Sequence, residues 1–462
     1  MKMNFLLKKM HVPLLIGFAL LVLLLPLILR FFAHYPLSHS SEAYAHLRIS
    51  SLIQERGLIQ HDPFLNQPYT FNLYDYLLAA LSYLFPSAWI SILLPLALGV
   101  GAILFFYLFL CRLTFSRDHS LLISLLVVLS PAYIYTFTTL TSLSLLLFLT
   151  LLGFYLFLRA KTYSAYFSWS LLVLIHWSGF IALCALLAWY LYLYQRNKMQ
   201  TLLYVFSLGF LVWIFLVMIY PFSFQSELSP FNLWARFYVT DFGATLGYSF
   251  ITLILSFFYL IHHRDKKPFF LFLIFLFSVI SLPSRLLFAL VLTMGAGAYI
   301  LNLIERPWCV LLLKQLTLIL IACLFLFANL SYTNRLIHSA PEAAAEQVLL
   351  KLSLDKPGLV LSPPDQLDFV SYFAQKKAIT LYDNLTDLNQ VYYSQRLDIT
   401  KKTLNQYQIR YILLTPSMIN GGVWKEPDQG LLLLLHFSES FIKRYAIDGI
   451  EIWEYRGYEG FS

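Results

Sequence analysis

Charged residues are scarce in this sequence, with 24 aspartates and glutamates and 32 lysines and arginines in 462 positions. Hydrophobic residues make up 59% of the chain, and this balance excludes a soluble globular protein. Many of the apolar residues lie in runs of about 20, the length that crosses the hydrocarbon core of a bilayer. The sequence therefore predicts a polytopic membrane protein.

Cysteine is also rare, and Cys111, Cys184, Cys309 and Cys323 all lie in apolar runs. Their positions exclude a disulfide framework and any spacing typical of a metal–thiolate site. A basic segment precedes the first apolar run, 12–32, but no small-residue cleavage site follows it. We expect this run to be a retained first span rather than a removed signal peptide.

The apolar runs predict about eleven membrane spans. They lie at 12–32, 89–110, 120–135, 140–158, 165–177, 180–194, 202–220, 244–261, 269–282, 286–304 and 310–330. Arginine and lysine pairs fall in alternate connecting loops, and such residues favour the cytoplasmic side of a membrane. The N-terminus is therefore predicted to be cytoplasmic, with loops 34–88 and 221–243 outside. The net charge of +8 indicates this topology and not nucleic-acid binding.

The composition changes after residue 330, where the long apolar runs end. Short buried strands are predicted at 358–362, 378–382 and 409–415, with helices at 368–375 and 401–407. Alternating segments on either side of Asp448 and Gly449 are typical of a β-hairpin. This part of the chain is predicted to be a small domain of βα units.

The predicted fold is thus mainly α and has two parts. Residues 1–330 form a membrane helical bundle, and residues 331–462 form an external C-terminal α/β domain.

A polar stretch from Ser41 to Phe64 follows the first span and concentrates charge in a chain that otherwise has little. A carboxylate at Glu42, close to the membrane surface, can act as a base or hold a divalent cation; an ordinary solvated acid is the other interpretation. His46 lies four residues on and shares a helix face with Glu42. Arg48 can bind a phosphate with two hydrogen bonds, or instead pair with a loop acid or a lipid headgroup. Asp62 is a further acid of this loop.

Two charged residues elsewhere are predicted to lie on the same external side. Glu227 is in the second external loop, and Arg285 lies between two late spans, where it departs from the usual cytoplasmic bias of basic residues. Arg285 can pair with an anionic substrate, although simple snorkelling towards water is the alternative. Because helical bundles bring span ends together, Glu42, Glu227 and Arg285 are expected to line one cavity, with His46 and Arg48 on its rim.

The order of these residues resembles that in the catalytic subunits of oligosaccharyltransferases from archaea and eukaryotes. The segment Glu42–Arg48, followed by Gly57 and Asp62-Pro63, is similar to that family's first external loop, which reads Asp-x-Tyr-x-His-x-Arg or close to it. The segment Gln225–Pro230 looks like the family's second-loop motif, which contains a glutamate. Arg285 stands where the family has an external arginine, and the resemblance covers most of 12–330.

Three departures separate this chain from that family. Glu42 replaces the usual aspartate, and Thr139–Ser142 replaces the second acidic motif with no carboxylate. The Trp-Trp-Asp-Tyr-Gly motif that recognises the acceptor sequon is absent, and Ser362–Asp365 stands in its place. The family features that remain are those of C-type glycosyltransferases, membrane enzymes that use sugars linked to a polyprenyl phosphate.

The resemblance implies an inverting glycosyltransferase that moves a saccharide from a polyprenyl-phosphate-linked donor to a protein or glycan acceptor on the external face. Glu42 and Glu227 would be catalytic, and His46, Arg48, Asp62 and Arg285 would bind substrate. A divalent cation, Mn²⁺ or Mg²⁺, would be held weakly by Glu42 and Glu227, because so few carboxylates are available.

Two alternatives stay open. Ser41-Glu42 also looks like the acidic pair of protein mannosyltransferase-like and lipid A arabinosyltransferase-like enzymes, which use a single sugar on a monophosphate lipid. Loss of the second acidic motif also fits a protein that binds lipid or acts as a scaffold without catalysis.

Overall fold

The computed structural model describes residues 2–65, 67–113, 115–194, 200–219, 250–262, 282–379, 391–426 and 428–457. These residues form two compact units. The membrane unit comprises Met1–Ala33 and Thr70–His338, and the C-terminal unit comprises His34–Tyr69 and Ser339–Ser462. The loop predicted to be the first external one, as far as Tyr69, therefore folds with the C-terminal segment.

The membrane unit is helical throughout its described residues. Its α-helices are Lys2–Phe32, Leu73–Ser82, Ser87–Arg112, Arg117–Val128, Pro131–Thr138, Ser142–Leu158, Thr162–Ser170, Trp177–Tyr194, Gln200–Ile219, Phe250–His262, Leu282–Glu305 and Leu311–Ile337. A 3₁₀ turn, Leu171–Leu174, follows the seventh of them.

Four of these helices are long and apolar enough to cross a membrane: Met10–Phe32, Ser87–Arg112, Arg285–Glu305 and Leu311–Ile337. A fifth span results if Arg117–Val128 and Pro131–Thr138 are counted together across their 66° bend. Several shorter apolar helices accompany them, so the described residues make a multi-pass membrane protein but do not confirm eleven spans. The predicted span 269–282 lies almost wholly outside the described residues.

Two predicted spans differ from continuous membrane helices for identifiable reasons. The run predicted at 120–135 breaks before Pro131, since proline has no N–H to continue the helical ladder. Ser130 begins the new helix, and its hydroxyl oxygen accepts a hydrogen bond from the Tyr133 N–H at 3.3 Å. The run predicted at 165–177 is an α-helix of nine residues that continues as the 3₁₀ turn, and this is too short to cross a bilayer.

One buried charge joins the first and last helices of the membrane unit. Arg30 is fully buried, and its Nη1 donates to the carbonyl oxygens of Leu336 at 2.7 Å and Ile337 at 3.0 Å. Carbonyls in the last turn of a helix have no partner within the helix. The guanidinium therefore caps the end of Leu311–Ile337 and fixes it against the end of the first span.

The C-terminal unit contains a five-stranded mixed sheet. In spatial order its strands are Ala378–Ile379, Leu359–Leu361, Ile409–Leu414, Ile450–Tyr455 and Phe441–Ile447; the first three are parallel and the other pairs antiparallel. Its helices are Ser41–Arg56, Ala343–Ser353, Leu367–Phe369, Leu397–Gln406 and Gly430–Phe437. Val370–Ala374 and Met418–Gly422 are π-helical, Pro364–Gln366 is 3₁₀, and His61–Asp62 pairs with Gln67–Pro68.

The predicted α/β character of this segment is confirmed. The three buried strands lie at the predicted positions, apart from 380–382, which are outside the described residues. At the hairpin Asp448 and Gly449 both have positive φ, 46° and 81°, as a two-residue type I′ turn requires. Helices and sheet enclose one hydrophobic core, in which Tyr392, Trp424 and Trp453 are the largest side chains.

Candidate functional site

The loop helix, Ser41–Arg56, is the element that presents the predicted site residues of the first external loop. The hydroxyl oxygen of Ser40 accepts a hydrogen bond from the Ala43 N–H at 3.4 Å and caps the start. Gly57, at φ 76°, ends the helix and donates its N–H to the Ile53 carbonyl. Glu42 lies in the first turn and Arg56 in the last, the arrangement that a helix dipole favours.

Glu42 and His46 form the predicted contact one helical turn apart. The distance from Glu42 Oε1 to His46 Nε2 is 3.5 Å. The Glu42 side chain keeps 33% of its surface exposed, whereas that of His46 is largely buried. A carboxylate with this exposure beside an imidazole can take up or release a proton.

Arg48 is committed to ion pairs within the C-terminal unit. Its Nη1 donates to both carboxylate oxygens of Asp62, at 2.6 and 2.5 Å, and its Nη2 donates to Asp368 Oδ1 at 3.3 Å. The guanidinium carbon also lies 5.7 Å from the centre of the Phe64 ring. Only 4% of the Arg48 side chain is exposed. Phosphate binding by Arg48 stays a prediction. It requires Asp62 and Asp368 to release the Arg48 guanidinium.

Asp62 is held by the backbone as well as by Arg48. Its Oδ1 accepts hydrogen bonds from the N–H groups of Phe64, at 2.9 Å, and Leu65, at 3.4 Å. The ion pair of Asp62 with Arg48 thus holds the polar segment around Asp62 against the loop helix. The predicted role of Asp62 in binding substrate remains untested by this geometry.

Asp368 was not identified from the sequence. It lies in the helix Leu367–Phe369, just after the strand Leu359–Leu361, 320 positions from Arg48. Burial raises the pKa of the Asp368 carboxyl, Arg48 opposes that shift, and the Asp62 carboxylate adds to it. Two carboxylates share one guanidinium here. The only signal in the sequence was an acid in a short helix after a buried strand, a pattern too common to single it out.

An aromatic group accompanies this charge cluster. The ring of Tyr44 contacts those of Phe369, Tyr372 and Phe373, with centroid distances of 5.3, 5.1 and 4.9 Å. The Tyr44 hydroxyl donates to the Ser38 carbonyl at 3.2 Å. Ring pairs at such distances contribute about 0.5–1.5 kcal/mol each beyond the burial of area. Tyr44 thus anchors the loop helix on the segment Leu367–Ala374.

Arg285 and Glu227 are the remaining predicted site residues. Arg285 is in the first turns of Leu282–Glu305, where it is buried in the membrane unit. Glu227, with the whole second external loop, is outside the described residues. The expectation that Glu42, Glu227 and Arg285 line one cavity therefore stays a prediction.

Within the described part of the chain, no three His, Cys, Asp or Glu side chains are grouped as a metal site requires. Glu42 and His46 are only two neighbouring side chains of this kind. The predicted pairing of Glu42 with Glu227 around a divalent cation is not tested, because Glu227 is outside the described residues.

The membrane unit contains an apolar cavity of about 200 Å³. Its walls are aromatic and aliphatic side chains, among them Phe106, Phe154, Tyr190 and Leu290, and the hydroxyls of Thr150 and Ser256 are among its few polar groups. Such walls suit a hydrocarbon chain better than a sugar or a phosphate.

No protein-family model matches this chain, and no sequence of a characterised protein matches it. Solved structures do resemble it. Archaeoglobus fulgidus AglB, an archaeal oligosaccharyltransferase in complex with an inhibitory peptide and a dolichol-phosphate, superposes with a TM-score of 0.65 at 11% identity. The match covers 98% of this chain and 75% of AglB. A structure of the same oligosaccharyltransferase with Zn and sulfate gives 0.66 at 12% identity, over 96% and 73% of the two chains.

ArnT from Cupriavidus metallidurans, bound to undecaprenyl phosphate, gives a TM-score of 0.57 at 14% identity, over 96% of this chain and 97% of ArnT. The chain thus has the fold of C-type glycosyltransferases, which these proteins share. The resemblance to oligosaccharyltransferases that the sequence indicated is confirmed at the level of the fold. The low sequence identity is that of a diverged relative.

Proposed function

We propose that this protein is an integral membrane glycosyltransferase that transfers a saccharide from a polyprenyl-phosphate-linked donor. The observation that carries the proposal is the fold, which extends over nearly the whole chain and matches two glycosyltransferases solved with polyprenyl phosphates. The apolar cavity of the membrane unit supports a long hydrocarbon ligand. The acceptor would be a protein or a glycan.

Glu42 is the proposed base. The acceptor attacks the anomeric carbon of the donor sugar, the bond from that carbon to the phosphate oxygen breaks, and the phosphate leaves with the bonding electrons. Glu42 takes the proton of the acceptor, and attack opposite the leaving group inverts the anomeric centre. A carboxylate near a sugar that develops positive charge also stabilises the transition state.

The other predicted residues have supporting roles in this proposal. Glu227 would supply a second carboxylate, and Arg285 would pair with the donor phosphate. The contact of His46 with Glu42 supports a role in orienting that carboxylate. Arg48 and Asp62 would form the wall of the site next to the loop helix, and their mutual ion pair supports this position.

A second candidate keeps the reaction but uses a single sugar on a monophosphate lipid. The near-complete correspondence in length with ArnT favours it, since the match covers 97% of ArnT against 75% of AglB. Mass spectrometry of the spent lipid tests this candidate, because a monophosphate-linked donor leaves a polyprenyl monophosphate, whereas a diphosphate-linked donor leaves a polyprenyl diphosphate.

The first test is binding. Purified full-length protein in nanodiscs is mixed with undecaprenyl phosphate, with undecaprenol, or with phosphatidic acid, and its thermal unfolding is followed. We expect stabilisation that requires both the prenyl chain and the phosphate. Equal stabilisation by undecaprenol, or none by undecaprenyl phosphate, contradicts a polyprenyl-phosphate donor and favours the scaffold alternative.

The second test is catalysis. Membranes that contain labelled lipid-linked saccharides serve as the source of donor and acceptor, and loss of sugar from the lipid is measured. Glu42→Gln keeps the shape of the side chain and should slow transfer by about 10²–10⁴-fold, the usual cost of removing a positioned base. Glu55→Gln, an exposed acid near the other end of the same helix, is the matched control and should stay active. Full activity of Glu42→Gln rejects the proposed base.

The orientation of the chain belongs to the same proposal. The N-terminus would be cytoplasmic, and the C-terminal domain would lie on the external face, where transfer occurs. A reporter fused after Arg196 or Lys266 should be cytoplasmic and one after Ser462 external. A cytoplasmic C-terminus would contradict the proposed side of the reaction.

A further inference from the structure

Tyr44 and Glu42 lie on opposite sides of the loop helix, because two residues advance an α-helix by about 200°. Most of the helix is buried, including Tyr44, His46 and Arg48, whereas Glu42 keeps a third of its side chain exposed. We call the side that carries Tyr44 and Arg48 the docked face; the proposed base lies on the other side.

Both contacts of the docked face are made by one short segment of the C-terminal domain. Phe369, Tyr372 and Phe373 surround the ring of Tyr44, and Asp368 accepts a hydrogen bond from Arg48. We call these three rings the aromatic cradle.

The backbone of the cradle is unusual. Val370–Ala374 is π-helical, and Gln375 ends it in the left-handed region at φ 50°. Isolated π-helical turns are rare and are found mostly where they place side chains at functional sites. Here the wider turn carries Tyr372 and Phe373, two of the three rings against Tyr44.

We infer that Tyr44 is a positioning residue, and that the aromatic cradle of Leu367–Ala374 sets the direction in which Glu42 is presented to the substrate. The inference rests on the proposed function, since it assigns the C-terminal domain a part in that reaction. Its physical basis is that a shift of about 1 Å in a catalytic group can cost about 100-fold in rate.

The test compares Tyr44→Leu with Tyr44→Phe in the full-length protein. Leucine keeps apolar bulk but removes the ring, and we expect kcat to fall about 10–100-fold with KM changed less than about 3-fold. Phenylalanine keeps the ring and loses the hydroxyl that donates to Ser38, so it should stay within about 3-fold of the wild type. Phe369→Leu should reproduce the loss from the other side of the contact, and the double variant should be little worse than either single one.

Hydrogen–deuterium exchange gives a readout that does not depend on transfer. Amides of the loop helix should exchange faster in Tyr44→Leu and Phe369→Leu than in the wild type and Tyr44→Phe, while the strands of the C-terminal sheet stay protected. Binding of undecaprenyl phosphate should be unchanged in all four proteins.

The outcomes separate the two proposals. An active wild type with unchanged kcat or unchanged loop-helix exchange in Tyr44→Leu overturns the positioning role and leaves the proposed function standing. A wild type that neither binds undecaprenyl phosphate nor transfers sugar overturns the proposed function, and with it the role of Tyr44 in catalysis. Faster exchange and lower kcat, both restored by phenylalanine, support the inference.

Discussion

Two charge clusters in the C-terminal unit, each centred on one buried side chain, have opposite compositions. In the sheet, one carboxylate pairs with two arginines. Glu454 Oε1 accepts a hydrogen bond from Arg410 Nη2 at 2.7 Å, and Glu454 Oε2 accepts one from Arg444 Nε at 2.5 Å. At the loop helix, one arginine serves two carboxylates, because Arg48 donates to both Asp62 and Asp368. The first cluster carries excess positive charge and the second excess negative charge.

The difference appears in the pKa values of the two acids. Burial acts to raise the pKa of Glu454, but hydrogen bonds from Arg410 and Arg444 outweigh it and hold the pKa below its ordinary value. Burial also acts on Asp368, and there the single shared arginine does not compensate, so the pKa is raised. Ionised Glu454 therefore stabilises the fold, whereas ionised Asp368 costs stability.

We call Arg410, Arg444 and Glu454 the sheet cluster, and Arg48, Asp62 and Asp368 the site cluster, because the latter lie on or against the helix that carries Glu42, the proposed base. Arg410, Arg444 and Glu454 lie on three neighbouring strands and fix them in register. Asp368 lies where the loop helix with Glu42 meets the domain, and perturbed acids of this kind concentrate at functional sites. Under the proposed function, the second cluster gives up stability for a fixed orientation of the loop helix, a role that buried polar groups serve in some proteins.

The largest effect is expected from removal of the shared arginine. Arg48→Met leaves Asp62 and Asp368 buried without a counterion and should lower the free energy of unfolding by about 3 kcal/mol. The estimate lies at the low end of the usual range because Asp368 can take up a proton and Asp62 keeps its backbone donors. Denaturant unfolding of the full chain in detergent measures it.

Arg56→Met is the matched control, since Arg56 is exposed at the end of the same helix, and it should cost less than about 1 kcal/mol. If Arg48→Met were as stable as Arg56→Met, the site cluster would be energetically unimportant, and the contrast with the sheet cluster would fail.

An intermediate effect is expected at the sheet cluster. Glu454→Gln removes the charge that both arginines neutralise and should cost about 1.5–3 kcal/mol at neutral pH. Because the folded pKa of Glu454 lies below its ordinary value of 4.5, its stabilisation is present above that pH and is lost as the pH falls through the lowered pKa. A pH series of unfolding midpoints should show less acid sensitivity in the variant.

Glu439→Gln, an exposed acid just before the hairpin, provides the comparison and should leave the pH profile unchanged. Parallel acid profiles for the wild type and Glu454→Gln would mean that the arginines do not control the ionisation of Glu454.

Local signals predicted much of this fold. Asp448-Gly449 identified the hairpin, alternation and buried runs identified the strands, and helical spacing over 44–55 identified most of the loop helix. The break before Pro131 was also within reach, because proline favours the start of a helix over its interior. Each of these features depends on residues within one turn or one strand of each other.

The site was predicted only in part, for a physical reason. Glu42 and His46 are four residues apart, and their contact follows from helix geometry alone. The ring partners of Tyr44 and the Asp368 partner of Arg48 lie more than 300 positions away, and their approach depends on how two distant segments pack. No periodicity in the sequence encodes that meeting, and the π-helical turn that builds the aromatic cradle has no recognised sequence pattern. Arg48 was predicted either to bind phosphate or to pair with a loop acid or a lipid headgroup, and in the structure its hydrogen bonds go to Asp62 and Asp368. Phosphate binding by Arg48 stays a prediction.

The smallest effect, with the opposite pH dependence, is expected from Asp368→Asn. The folded pKa of Asp368 lies above its ordinary value of 3.8, so the folded chain binds more protons than the unfolded chain between those two values. The contribution of Asp368 to stability is therefore highest in acid and falls as the pH rises through the raised pKa.

Asparagine keeps the shape of the Asp368 side chain, can still accept the hydrogen bond from Arg48, and has no ionised form to bury. The variant should match the wild type or exceed it at neutral pH, by less than about 1 kcal/mol. Asp365→Asn, an exposed acid three positions earlier, should show no such change. A loss of 2 kcal/mol or more in Asp368→Asn at neutral pH would show that the ion pair holds the loop helix; a neutral or favourable change leaves the aromatic cradle as the main anchor.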